Sequence, residues 1–404
     1  MAKPKSTQEI IDCQIKSLLT EVFSKKPKAS EKGEICCARC DRPGVSDSHT
    51  ISKCLFKKIE KNDHVSTVGF AKNGKRECIS ESTKNASTLP LFCSGEGSCE
   101  NFFAKQTETT TFNLDSKEFL VACLVNCERL IHKAYYKHSR VCEKLMSKWT
   151  DSKKSLGNFF EKHLGLGDDV RDELFKRIEQ GLDGVIAHSK KILESNMTEK
   201  CLLAWAKRII DGDEEELSIF VWSASRIPWR VGELALMDMK EGGMGWTFMF
   251  SSKVLIDGIE QDALVYIPAV FKEIPGTKSD LNDLNVLKAH MDKLSQSNLF
   301  GDFCGEVVKA LVALSMCREE LWFSGDDYDL FEPQVGKTTK IRDEGCSTLE
   351  TLAFKIFHSP EDKEIKKCLG YLDLEDFCGE MLVNFKGRMS LRSAGIGWHV
   401  HDFP

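Results

Sequence analysis

Cys36-Cys37-Ala38-Arg39-Cys40 and Cys93-Ser94-Gly95-Glu96-Gly97-Ser98-Cys99 are the two stretches on which the reading of this chain turns. Zinc takes four thiolate or imidazole ligands in a tetrahedron, and two cysteines separated by two residues reach one ion from a single tight turn. Cys37 and Cys40 have that spacing, and Cys93 and Cys99 supply a wider second pair. Gly95 and Gly97 let the wider loop turn, because glycine accepts positive φ. The long insert between the pairs is tolerable, since loop-closure cost grows only logarithmically. Cys36, Cys54 and Cys78 are alternative ligands to the expected quartet of Cys37, Cys40, Cys93 and Cys99. The competing reading is a set of unliganded buried thiols.

Working outward, the composition is that of a water-facing globular chain. Of 404 residues, 41% are hydrophobic and 29% charged, enough for two or three domains. No apolar run reaches the roughly 18–20 residues of a membrane helix, and the Lys-rich start lacks a signal-peptide core, so no membrane association is expected. Seventeen cysteines, many in helical-looking segments, suit a reducing interior, so an intracellular location, cytoplasmic or nuclear, is expected. The net charge of −6 conceals an asymmetry. Residues 25–90 carry 14 Lys/Arg against 8 Asp/Glu, a net of +6, which leaves −12 on the remainder. A basic module on an acidic body suits a polyanionic partner, because neutralised phosphates release counterions.

Periodicity divides the chain into residues 1–33, 34–110 and 111–404. Ile11, Ile15, Leu18, Leu19 and Val22 fall on one face of an expected N-terminal helix. The polar stretch 61–87 reads as a loop or hairpin. From Asp115 the chain turns helical: Leu120, Leu124, Cys127, Ile131 and Ala134 repeat at steps of four and three, and Asp168-Asp169 stand where a second helix begins. A third helix is expected over 198–210. Short strands follow at 246–250, 253–256 and 263–267, with a turn at Asp257-Gly258. Helix is expected again over 307–323, 349–357 and 372–385. The fold class is therefore α+β, a small zinc module joined to a larger, mainly helical domain with a short β-meander.

Between the cysteine pairs lies Asp47-Ser48-His49-Thr50-Ile51, and Leu89-Pro90-Leu91-Phe92 leads into Cys93, with Glu100-Asn101-Phe102-Phe103 after Cys99. In this order the residues resemble the zinc-bearing HNH endonucleases, of the ββα-metal or treble-clef type, in a divergent branch with a Ser-His-x-Ile core and a Cys-Glu helix start. The resemblance covers about residues 34–105. It implies a β-hairpin followed by a helix, a structural Zn²⁺, and His49 as the general base that activates water for attack on a phosphodiester. It also implies a catalytic Mg²⁺ or Mn²⁺, for which Glu100, Asp47 and Asn101 are the candidate ligands. The family's metal ligand before the base is replaced by Ser48, and the ligand one helical turn after Glu100 by Ala104.

Two functions remain open on these residues: metal-dependent hydrolysis of nucleic acid, DNA before RNA, or a non-catalytic zinc module that binds nucleic acid or protein. A purely structural zinc knob would move the function to residues 115–404. The helical domain is expected to recognise a partner or drive self-association. Nuclease modules joined to large helical domains often serve genome conflict or defence, which carries over only by analogy. Gly336-Lys337-Thr338 lacks the leading glycine of a phosphate-binding loop, and His399 and His401 form only a weak metal pair.

Overall fold

The computed structural model describes residues 7–24, 32–70, 76–107, 111–113, 116–164, 167–194, 218–224, 229–238, 244–256, 258–270, 321–327, 389–393 and 398–401. The expected helices at 198–210, 349–357 and 372–385, most of 307–323, and Gly336-Lys337-Thr338 lie outside these residues.

The molecule is built around one long helix. α1 is Thr7–Ser24, and after the cysteine module α4 runs Lys117–Leu164, 48 residues or about 72 Å. Ser116 begins it as an N-cap, its hydroxyl accepting the Phe119 amide at 3.1 Å. α5, Asp168–Glu194, follows, with Asp168 and Asp169 in its first turn. The second half of α4 packs Val141, Leu145 and Trp149 against Leu174, Phe175, Ile178 and Leu182 of α5, and Ile11, Leu18 and Val22 of α1 complete that cluster.

The first half of α4 serves two other cores. Phe119, Leu124, Cys127 and Ile131 lie on a β-sheet, against Phe248, Phe250, Val254, Val265 and Ile267. Val125 and the half-buried Val121 pack instead against the cysteine module. Residues 123–127 thus present both faces to apolar partners, which is why the stretch is so poor in charge.

Mixed α+β character is present as expected, but the sheet is larger than a short meander. The central strands are β7 (Trp229–Asp238), β8 (Met244–Ile256) and β9 (Ile259–Val270). β8 runs unbroken through the two strands expected at 246–250 and 253–256, and Gly258 at φ 78° turns it into β9. β5 (Phe112–Asn113) adds in parallel to β8. β6 (Ser218–Ala224) pairs with β9 and with β11 (Met389–Ser393), and β11 with β12 (Trp398–His401). On the other side β7 pairs with β10, Leu321–Phe323. That segment was expected to be helical. Leu321, Trp322 and Phe323 are all buried, and a fully buried apolar run carries no period to separate strand from helix.

β10 then joins β2 (His64–Phe70), which pairs with β3 (Arg76–Ser82). The stretch 61–87 is therefore a hairpin that completes a ten-stranded sheet rather than a surface loop. Val65, Ser66, Thr67 and Val68 are all buried, so both faces of β2 are covered where it joins the sheet, and Arg230 of β7 is ion-paired with Asp262 of β9 at 2.9 Å.

Candidate metal centre and the histidine beside it

The cysteine module holds a separate two-stranded sheet. β1, Ser46–His49, pairs antiparallel with β4, Thr88–Phe92, with Asp47 opposite Pro90, Ser48 opposite Leu89 and His49 opposite Thr88. A short helix α2, Lys53–Phe56, follows β1, and α3, Cys99–Thr107, follows β4. The first cysteine pair sits in a turn docked onto the end of β4. Asp41 N donates to Cys37 O at 3.0 Å, and Ala38 N to Leu91 O at 2.9 Å. Asp41 takes φ 58°, closing the knuckle.

The second pair brackets a loop in which Gly95 and Gly97 adopt φ 107° and 65°, as the sequence anticipates. Ser98 caps α3 by accepting the Asn101 amide at 3.2 Å, which puts Cys99 on the first turn. The Cys99 amide points at Cys93 Sγ, 3.4 Å away.

The four sulfurs of Cys37, Cys40, Cys93 and Cys99 lie within 4.8 Å of one another, and Cys40 Sγ is 3.7 Å from Cys93 Sγ. A tetrahedral Zn–S distance of about 2.3 Å requires sulfurs about 3.8 Å apart, so a zinc-sized ion fits between them. Four soft thiolates suit zinc over a hard cation. Cys36, Cys54 and Cys78 are not part of the group. A bound metal would hold the knuckle, the end of β4 and the start of α3 as one unit.

The surroundings act on the thiols in opposite directions. Arg42 Nε donates to Cys40 Sγ at 3.3 Å, and this hydrogen bond brings the exposed Cys40 thiol down to about 6. Burial pushes Cys99 and Cys37 the other way, as an unliganded thiol in an apolar setting must go. Arg39, between the first two ligands, lays its guanidinium 4.1 Å from the Phe102 ring centroid and donates Nε to Glu128 Oε1 of α4 at 2.8 Å. Burial opposes ionisation of Glu128, yet the His132 ring 3.6 Å away and the Arg39 hydrogen bond outweigh it and hold the carboxyl below its ordinary value. This strap from knuckle to spine helix carries no sequence motif, since its partners are 89 residues apart.

His49 is half-buried at the end of β1. Its Nε2 lies 3.0 Å from the Thr83 carbonyl oxygen, and its ring is 6.3 Å from Phe56. A carbonyl only accepts, so Nε2 carries a proton there. Thr83 was not anticipated, because its carbonyl comes from the turn after β3, a part of the module whose path the sequence leaves open.

The other candidates are held in different ways. Asp47 is ion-paired with Lys32 at 2.7 Å. Ser48 is fully buried, its hydroxyl accepting the Phe92 amide at 3.3 Å across the β1–β4 pair. Asn101 donates its side-chain amide to Gly95 O at 2.8 Å. Glu100 is half-buried on the first turn of α3. Among the described residues, the cysteine quartet is the sole group of three or more His, Cys, Asp or Glu side chains gathered at metal-binding distance. Asp47, His49 and Glu100 do not form a second one, so the described geometry does not assemble a site for Mg²⁺ or Mn²⁺. His399 and His401 lie on β12.

Comparison with protein-family models, curated proteins and solved structures finds no match to this chain. No helix among the described residues is long and apolar enough to cross a membrane.

Proposed function

We infer that this protein is a zinc-stabilised, HNH-like enzyme that hydrolyses phosphodiester bonds in nucleic acid, with His49 as general base. The observation that supports this most directly is the His49–Thr83 hydrogen bond, which orients the ring and places a proton on Nε2, the arrangement a base acting through Nδ1 needs. In the reaction, water loses a proton to Nδ1 as its oxygen attacks phosphorus. The bond from phosphorus to the leaving oxygen breaks in line, and that oxygen takes a proton from solvent. The four-thiolate zinc is structural: it fixes β4 and α3 around the hairpin that carries His49.

A second reading is a non-catalytic zinc module that binds nucleic acid or a protein. It is favoured by the commitment of Asp47 to Lys32 and of Asn101 to Gly95. Cleavage of plasmid and single-stranded DNA by the full chain, with Mg²⁺ or Mn²⁺ added, separates the two. His49→Ala is expected to lower the cleavage rate by about 10²–10⁴-fold with zinc content unchanged. Equal cleavage by that variant would remove His49 as base, and salt-sensitive binding without turnover in either metal would establish the second reading.

A further inference from the structure

We propose that Lys53, Lys57 and Lys84 form a rim beside His49 that binds the phosphate backbone of a nucleic-acid strand; this rests on the nucleic-acid reading above and names the surface through which it operates.

Three local connections bring these lysines to the histidine. Lys84 directly follows Thr83, whose carbonyl holds His49 Nε2. Lys53 opens α2 four residues after His49. Lys57 closes the same helical turn, next to Phe56, the residue whose ring faces the imidazole. Lys53 and Lys57 are four apart and so lie on one helical face.

All three lysines are exposed, and among the described residues none of their ammonium groups has a carboxylate partner. Neighbouring cations are different. Lys58 is bound to Glu260 at 2.9 Å and to Asp262 at 3.0 Å, and Lys61 is paired with Asp326. Lys32 is paired with Asp47. Lys58 is therefore neutralised by the large sheet and Lys61 and Lys32 by their own carboxylates, while Lys53, Lys57 and Lys84 have no such partner among the described residues. That separation is what a polyanion site requires, since a phosphate gains most from lysines whose charge is not already spent. The contacts specify backbone charge and carry no base readout.

The test is binding of a short fluorescent DNA duplex to the zinc-loaded full chain without added Mg²⁺ or Mn²⁺, across about 50–200 mM salt. The variant K53Q/K57Q/K84Q is expected to flatten the slope of log affinity against log salt by about 2.7, the value for three phosphates. Over that fourfold range the wild type then loses about 40-fold more affinity than the variant. Lys61→Gln, which removes a paired lysine, leaves the slope unchanged. A triple variant with the wild-type slope and an intact thermal transition would overturn the rim without touching the hydrolytic reading. A flattened slope in a protein that never cleaves DNA would keep the rim and discard hydrolysis. No duplex binding by the wild type, or equal binding of poly-glutamate with the same slope, also overturns it, the latter assigning the surface to an acidic protein.

Discussion

At the scale of single residues, the candidate metal site depends on sulfurs brought together by turns. Cys93 is buried and its Sγ accepts the Cys99 amide, so its replacement alters both the ligand set and the start of α3. Cys93→Ser is expected to lose the bound zinc, measured by elemental analysis. Structural zinc contributes on the order of 10 kcal/mol to small folds that depend on it. The same variant should therefore expose the module to proteolysis while the α4–α5 helices persist by circular dichroism. Full zinc occupancy in Cys93→Ser would show that another cysteine, Cys36 being nearest in sequence, completes the site. His49 gives a different lesson. Its residue type marks it as a candidate base, but its ring is oriented by Thr83, which no local pattern connects to it.

At the scale of elements, α4 is one helix serving three cores, and its period was plain in the sequence. Leu120, Leu124, Cys127 and Ile131, read as one apolar stripe, are all buried. What the stripe does not disclose is the partner of each stretch: sheet for its first half, α1 and α5 for its second. Ile178, fully buried between α5 and α4, tests the second half. Ile178→Ala is expected to cost about 2–5 kcal/mol in urea unfolding, from lost transfer energy and the cavity left behind. Zinc content should not change, because the quartet packs against the other end of α4. A coupled loss of zinc would mean that the two ends of α4 unfold together.

The short strands were harder to read. β8 shows as two fragments because its middle, Ser251-Ser252, is polar. Both serines are buried all the same, and Ser251 accepts the Val231 amide at 3.0 Å. β10 is three residues long and apolar throughout, too short for any period. The turn formers of 61–87 allowed a loop or a hairpin, and the place of β2 and β3 in the large sheet depends on β10, some 250 residues away in sequence order.

At the scale of the molecule, the cysteine module and the sheet are joined by buried charge. Arg230, 1% exposed, donates to Asp262 at 2.9 Å, to Leu55 O at 3.3 Å and to Trp229 O at 2.7 Å, while Asp262 also takes Lys58. These contacts carry α2, and with it the segment after His49, against β7 and β9. Gly232 allows the close approach: a Cβ there would meet Ile51 Cγ1 at 2.7 Å and Thr50 O at 3.2 Å. Asp262→Ala leaves the Arg230 guanidinium buried without its carboxylate. The expected cost is about 3–5 kcal/mol in chemical unfolding. A change within about 0.5 kcal/mol, the size seen at ordinary surface sites, would mean that water replaces the carboxylate and that the join rests on apolar packing alone.

The sequence by itself determined the ligand chemistry, the long helices and the mixed α+β class. Cysteine spacing, glycine in the wide loop and a 3.6-residue period are local properties, written within a few turns of chain. Only the tertiary structure decided that four sulfurs lie within 4.8 Å, that Thr83 orients His49, and that β2 and β3 complete a sheet begun past residue 218. Only it committed Asp47 and Asn101 to other partners. The reason is physical. Hydrogen bonds, ion pairs and strand pairings between distant segments depend on where the hydrophobic cores bring the backbone, and those positions follow from packing the whole chain rather than from any one stretch.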